Sequence, residues 1–484
     1  MKFTVDYSFK RRDGKTEGGE EVPLELDEKS IKVFPKSGAA LRFTIREISG
    51  IAVEGYRIKV ALGSGELLEI FNAGHQFEDI VRVMKKFRTT SSIKDSLMNE
   101  AVKKANLHAD FSYFGADGKE TAKGECEFRI YETGIVVIPE GGQPMRIDYS
   151  TILNIEEKGH DITIARESGE KVTLYKLGEQ FGMVGNTISG ALNALSAALQ
   201  EMLGEMLPSA DPAIIRQAAR LMKDGKAVPK AELDKVSPEF WLNLEKKINK
   251  MGIKSEYEFL KSIGQKDKMC VGIKRGLMGG FTGEYLWLLV PVYGTNPKKP
   301  GNAVIMESIT TAEEAMARGA GAAAAAAPAS SGKATYFFRI CGRREYAEKR
   351  SMEELNGLCD SFIKKLNACM IATNFRREPI YLTDKKLEDR KYDNYREAIT
   401  QSPDLQMLRR HFIGKVAHNA PAQWKDDVMG VLTFNVGAGD DLLKWSRKGA
   451  VIGEEGGEAE QVASERDMSV ESSENDEDIV PREK

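Results

Sequence analysis

The sequence predicts an α+β protein in which small β-barrel or sandwich modules, each capped by a C-terminal helix, stand in tandem. Three observations predict it. The chain matches itself without a gap when displaced by 104 positions; apolar spacing changes from strand-like to helix-like where each matched stretch ends; and 484 residues exceed what one core can organise.

The internal match runs from Phe3 to Phe77 and is dense in turn residues. Asp13-Gly14-Lys15 falls on Asp117-Gly118-Lys119, and Ser64-Gly65-Glu66 on Ser168-Gly169-Glu170. Pro35 meets Pro139, Arg42 meets Arg146, Ile48 and Ile51 meet Ile152 and Ile155, and Gln76-Phe77 meets Gln180-Phe181. Within each copy, Phe3–Phe9 and Leu107–Phe114 open as strands that end at Asp-Gly turns, which favour hairpins. In the first copy further strands follow over Val22–Leu26, Ile31–Phe34, Leu41–Ile45, Ile48–Val53, Tyr56–Leu62 and Leu67–Phe71. The Gly63–Gly65 triplet supplies the positive φ that a tight turn needs. Then the period lengthens. Phe77, Ile80, Val81 and Met84, and likewise Phe181, Val184, Ile188, Leu192, Leu195 and Leu199, form one apolar stripe on a helix. Burying that stripe over the open end of the sheet is the natural packing.

Seven strands followed by one helix resemble the pleckstrin-homology-like fold, of the bacterial PH-like or GRAM-like kind. The resemblance covers 1–205 and rests on element order and the repeat alone. It implies modules over 1–100 and 105–205. That family includes lipid-headgroup binders, peptide binders and histone-binding tandem modules, so it implies no single function.

Beyond the repeats the pattern turns helical over 206–265, a helical linker or small helical domain. Asp211-Pro212 starts one helix, Ser237-Pro238 a second with Phe240, Trp241, Leu244, Ile248 and Met251 inward, and Ser255–Glu258 a capping box for a third. Strand pattern returns at Met269–Ile273, Tyr285–Val292, Ala303–Met306 and Ala334–Cys341. A helix follows with Met352, Leu355, Leu358, Phe362, Leu366 and Met370 at helical spacing. The expectation is a third, divergent β-module over 266–372, interrupted by an Ala-rich insertion at 312–333. Residues 373–450 read as helical, with Tyr392, Tyr395, Leu405, Leu408, Phe412 and Trp424 packing. Residues 451–484, acidic and nearly without aromatics, read as a disordered tail.

A net charge of -3 announces neither nucleic acid nor membrane as partner. Five scattered cysteines without a Cys-x-x-Cys pair argue for reduced thiols and a cytoplasmic setting. The first residues alternate as a strand rather than forming a signal core, and the longest apolar run, Tyr285–Tyr293, is too short to span a bilayer.

The stretch most suggestive of a ligand is Lys274-Arg275-Gly276-Leu277-Met278-Gly279-Gly280, where glycine backbone beside two cations could cradle a phosphate. No Gly-Lys-Ser/Thr follows, so it is not a Walker loop. Were a third pleckstrin-homology-like module present, Lys274 and Arg275 would sit on its first hairpin, where lipid-binding members of the family place basic residues. Of the five histidines, His411 and His418 are seven apart, a poor metal spacing, and His75 and His160 are not repeated between the copies. The basic runs Arg376-Arg377 and Arg409-Arg410-His411 are diluted by Glu378, Asp384, Glu388 and Asp389, which disfavours nucleic acid. No nucleophile elbow, zincin motif or dinucleotide fingerprint occurs, and no catalytic residue, metal ligand or cofactor site is assigned. The expected function is that of a non-catalytic interaction or scaffold protein whose partner is a protein or peptide. Two alternatives stay open: contact with an anionic membrane surface through 274–283, and an enzyme whose site is assembled between domains. Oligomeric state cannot be read from the sequence.

Overall fold

The computed structural model describes residues 1–95, 101–140, 144–278, 281–296, 298–310, 334–349, 351–372, 380–418, 420–437, 439–447 and 449–451. It is an α+β chain containing three large antiparallel sheets. The Ala-rich tract, the Arg376-Arg377 run, Gly279-Gly280 and the acidic tail lie outside the described residues.

The first repeat runs β1 (Lys2–Lys10), β2 (Thr16–Leu26), β3 (Ser30–Val33), β4 (Leu41–Thr44), β5 (Ile48–Glu54), β6 (Arg57–Leu62), β7 (Leu67–Phe71) and helix α1 (Phe77–Asp95). The second runs β8 (Val102–Phe114), β9 (Glu120–Tyr131), β10 (Gly134–Pro139), β11 (Met145–Asp148), β12 (Ile152–Lys158), β13 (Asp161–Arg166), β14 (Lys171–Tyr175) and α2 (Phe181–Met206). Strand order is β4-β3-β2-β1-β7-β6-β5 in one and β11-β10-β9-β8-β14-β13-β12 in the other, the same topology twice. Alternate residues of all the strands point inward, and Ile80, Val83 and Met84 of α1, or Val184, Ile188 and Ala191 of α2, close each core. The two copies are therefore independent cores of the same design.

Helix α2 is the longer by two turns, and those turns serve another core. Leu199, Met202, Leu203 and Met206 pack with α3 (Pro212–Leu221), α4 (Lys230–Val236), α5 (Glu239–Lys250) and α6 (Lys254–Ile263) against a third sheet. Asp211 caps α3 by accepting from the Ala213 N–H at 2.6 Å, and Phe240, Trp241, Leu244 and Ile248 are the buried side of α5. Helix α6 starts at Lys254 with Ile253 as its N-cap, so Ser255 lies inside the helix rather than capping it. Ile253 packs on the apolar core, which sets the entry point.

The third sheet is a meander: β15 (Val228–Pro229), β16 (Cys270–Met278), β17 (Phe281–Val292), β18 (Ala303–Thr310), β19 (Ala334–Arg339) and β20 (Phe412–Ala417). Both ends lie outside the 266–372 span read from sequence, and the order differs from that of the repeats. Strand β20 also falls within the stretch read as wholly helical. Phe412, Ile413 and Val416 are buried there as β20 pairs with β19, a long-range contact that local periodicity does not carry. Leu286, Leu288 and Val290 of β17 face α2–α6 and α12 (Pro421–Val436). Tyr285, Trp287 and Leu289 face α8 (Met352–Ala372) and α11 (Pro403–His411). A strand covered on both faces reads as one apolar run, which is what Tyr285–Tyr293 is. Short helices α7 (Arg343–Glu348), α9 (Asp384–Leu387) and α10 (Asp393–Gln401), and a hairpin of β21 (Lys444–Ser446) with β22 (Gly449–Val451), complete the unit.

Candidate functional site

The structure takes Lys274 away from solvent. Its ammonium lies 3.0 Å from Asp224 Oδ1, and both side chains are buried, 3% and 4% exposed. Residues 274–278 continue β16 to its hairpin end, pairing Lys274 with Tyr285 and Arg275 with Glu284. Lys274 is therefore not the solvent-facing headgroup ligand that the hairpin reading requires. Arg275 and Gly276 are placed as strand residues, and Gly279 and Gly280 lie outside the described residues.

The reason lies in the turn Lys223–Gly225, which presses into the junction between the second repeat and the third sheet. Asp224 adopts a left-handed φ of 46°, unusual for a residue with a side chain, and this aims its carboxylate at Lys274. Gly225, at φ +82°, offers its carbonyl to Trp287 Nε1 at 2.7 Å. Opposite it, Gly272 must be glycine, because a Cβ there would collide with the Trp287 indole and the Gly225 carbonyl. Asn367 of α8 locks the next peptide, accepting from Ala227 N–H at 3.2 Å and donating to its carbonyl at 2.8 Å. The second repeat supplies Arg146 and Asp148, paired at 2.5 Å. Burial raises the Asp224 carboxyl above its ordinary range; Lys274 opposes this and Asp148 adds to it. Asp148 Oδ2, Tyr149 Oη and Ser150 Oγ are buried with no hydrogen-bond partner among the described residues. Two acids and two bases enclosed by protein can hold surfaces together, but they offer a solute no access.

The same corner of the first repeat is also occupied by protein. Arg88 of α1 donates to the carbonyls of Ile48 (3.4 Å) and Ser49 (3.0 Å), and to those of Pro139 (3.4 Å) and Glu140 (2.9 Å) in the second repeat. Arg46 forks onto Asp95 at 2.8 and 2.9 Å and reaches Asn394 of α10 at 2.6 Å. In the second repeat the carbonyl equivalent to Ile48, that of Ile152, takes Lys223 Nζ at 3.0 Å.

Two surfaces of the repeats stay in water. The terminal strands β5 and β12 are sheet edges, with Val53, Tyr56 and Leu153 exposed on or beside them. The first turn of copy one, Lys10-Arg11-Arg12-Asp13-Gly14-Lys15, has all four cations exposed. Its counterpart, Phe114–Lys119, carries one. This turn is a functional candidate that glycine spacing does not mark, although its four cations lie within six residues of one another in the sequence.

A further polar group is legible only in three dimensions. Glu307 of β18 accepts from Thr335 Oγ1 of β19 at 2.6 Å, and Trp424 Nε1 donates to the same hydroxyl at 2.9 Å. His418 Nε2 lies 2.9 Å from Thr335 Oγ1 and 3.1 Å from Glu307 Oε2. One imidazole nitrogen faces both neighbours, so a relay from hydroxyl through opposite ring nitrogens to carboxylate is absent from the geometry. The cavity beside it, lined by Ile253, Glu256, Tyr257, Leu260 and Leu288, measures about 10 Å³, on the order of one water. His411 sits on another element, its Nδ1 2.7 Å from the Arg339 carbonyl oxygen. His160 stacks edge-on against Phe181 at 5.7 Å, as Tyr56 does against Phe77.

No family model matches the chain, and no curated protein matches it. Among solved structures it is similar to "Structure of the Spt16D Pob3N heterodimer", at 13% identity over 34% of this chain and 82% of that one, with a TM-score of 0.15. At that score the likeness carries no argument. Among the described residues no helix is long and apolar enough to cross a membrane, and no group of three or more His, Cys, Asp or Glu is placed to hold a metal ion.

Proposed function

We propose that this is a non-catalytic interaction protein whose two repeats are pleckstrin-homology-like units that recognise protein segments. One observation carries the reading: two sheets of identical order each end in an edge strand beside the closing helix, and neither edge is covered by the rest of the chain's described sheets. The order itself, with one helix after the seventh strand, supports the pleckstrin-homology-like assignment. An extended peptide adds to such an edge through main-chain hydrogen bonds, with side-chain pockets supplying selectivity. Glu54 pairs with Arg57 across the two-residue turn Gly55-Tyr56, so the neighbouring Val53 turns its N–H outward. Glu157 holds the same position in β12, beside the Lys158–Asp161 pair. Proline at these positions blocks the open edge and spares the inner ladder. The expected result is that proteins retained from native extract by the parent chain are lost with V53P/E157P while the circular dichroism spectrum is unchanged. A parent chain that retains nothing at near-native concentration removes the reading.

A second reading, contact with an anionic membrane surface, is favoured by the four exposed cations of Lys10–Lys15 rather than by Lys274. Co-sedimentation with phosphatidylserine vesicles, lost in K10E/R12E and at high salt, is its expected signature.

A further inference from the structure

A different cluster of charge gathers where β19 ends. Arg339 is 4% exposed; its Nε donates to Asn435 Oδ1 at 2.7 Å and its Nη1 to the Asp441 carbonyl, while the Asp441 carboxylate lies 3.5 Å away. Its Nη2 is buried and meets no acceptor among the described residues. Arg343, the first residue of α7, lies 4.3 Å over the Phe434 ring, and its backbone N–H donates to Asp441 Oδ1 at 3.0 Å. Lys444 Nζ donates to the carbonyls of Arg409 (3.1 Å) and Phe412 (2.5 Å). Arg409 in turn reaches the Leu382 carbonyl and Asp384. Four cations thus face Asp384, Asp440 and Asp441, and the side chains of Asp384 and Asp441 are 77% and 48% exposed. Burial, then the nearby Arg339 and Arg409, push the Lys444 amine down to about 8. Burial and Arg343 likewise lower Arg339 to about 10. Such a cluster is withdrawn from water and crowded with like charge, and the buried Arg339 Nη2 has no acceptor among the described residues.

The chain carries the opposite charge a few residues away. Residues 452–484 hold twelve Asp and Glu against three Lys and Arg, which leaves the preceding 451 residues with 67 basic and 61 acidic side chains. Strand β22 pairs with β21 so that Val451 stands opposite Lys444. Glu454 and Glu455 follow three and four residues later, within roughly 14 Å of extended chain. A tethered carboxylate pair is present at an effective concentration of millimolar order, which a separate anion must compete with.

We propose that the Arg339–Arg343–Lys444 cluster is an anion-binding site whose occupant is the root of the chain's own acidic tail, Glu454-Glu455. The docked pair fastens the Gly439–Val451 strap, which is otherwise anchored by Trp445 against Gly414 and Gly430 and by Arg447 on Asp427. An acidic or phosphorylated external ligand would then have to displace the tail before entering.

The test compares hydrogen exchange of the strap amides in the full chain, in E454Q/E455Q and in the distal control D476N/E477Q. The expected result is exchange about tenfold faster in E454Q/E455Q alone, slowed again by inorganic phosphate but not by chloride. Equal exchange in all three chains overturns the assignment. So does equal acceleration by both pairs, which would mark a diffuse effect of tail charge. Phosphate protecting the parent as strongly as the variant overturns it as well, since the site would then stand unfilled.

Discussion

The first and second repeats have one fold and two fates. What they share is local. Gly14, Gly55, Gly65 and Gly74 have positive φ, and so do Gly118, Gly159, Gly169 and Gly178 at the equivalent positions. One non-glycine position with positive φ is also shared, Asn72 at 54° and Lys176 at 58°. Each of these side chains turns back onto the same carboxylate site: Asn72 donates to Asp6 at 2.6 Å, and Lys176 pairs with Asp110 at 2.5 Å. What differs is the corner after the fourth strand. Copy one closes it with its own Arg46–Asp95 and Arg88. Copy two leaves it to Asp148, Tyr149 and Ser150, and buries it beneath the Lys223–Gly225 turn and the third sheet. Turn chemistry preserves the unit, whereas the corner decides what it docks against.

If that is right, breaking the second corner should cost more than breaking the first. Asp224→Ala breaks the buried ion pair with Lys274 by removing one partner, a loss expected at about 3–5 kcal/mol. Equilibrium urea unfolding measures it, and Asp224→Ala with Lys274→Met should recover most of the deficit. A single change that costs less than 1 kcal/mol (on the scale of an exposed pair) would mean that the junction is wet. Arg88→Ala removes a buried cation shared by both repeats and should cost about 2–3 kcal/mol. Proteolysis should then cut between the copies before either core opens. Cleavage inside a core instead would show that the repeats do not part there.

The first corner also makes a prediction about pH. Burial raises the Asp95 carboxyl above its ordinary value of 3.8, with Arg46 opposing. A carboxylate raised in the folded state binds more protons folded than unfolded, so its contribution to stability declines as pH rises above 3.8. The difference in unfolding free energy between parent and Asp95→Asn should therefore fall with rising pH until the folded value is passed. A difference that rises over that window would reverse the assigned cause.

Much of this was legible in the sequence because it is local. The Asp-Gly turns and the Phe77 and Phe181 stripes rest on residues within a few positions of one another, and the 104-residue displacement is the same local pattern written twice. The strand pattern of Tyr285–Val292 was likewise legible, though not its burial on both faces. Three further things were not legible. Phe412–Ala417 becomes a strand only because β19 offers it an edge. Lys274 looked exposed because its partner, Asp224, lies fifty residues earlier in what read as a helical linker. Glu307, Thr335 and His418 converge from three segments, and no spacing rule connects them. In each case the deciding neighbour is distant in sequence, and a local pattern holds no record of it.

The smallest expected effect tests whether the copies are interchangeable where they are most alike. Tyr56 and His160 occupy the same hairpin tip and meet Phe77 and Phe181 at the same 5.7 Å, both edge to face. Tyr56 is 83% exposed, so little apolar area depends on its identity. The reciprocal exchange Tyr56→His and His160→Tyr should move stability by no more than about 0.5–1 kcal/mol, the worth of one aromatic pair. Thermal unfolding of each single variant measures this. If Tyr56→His instead abolishes partner retention while stability is unchanged, the tip of copy one is a contact surface that copy two has given up. Unchanged retention would leave recognition with the β5 and β12 edges.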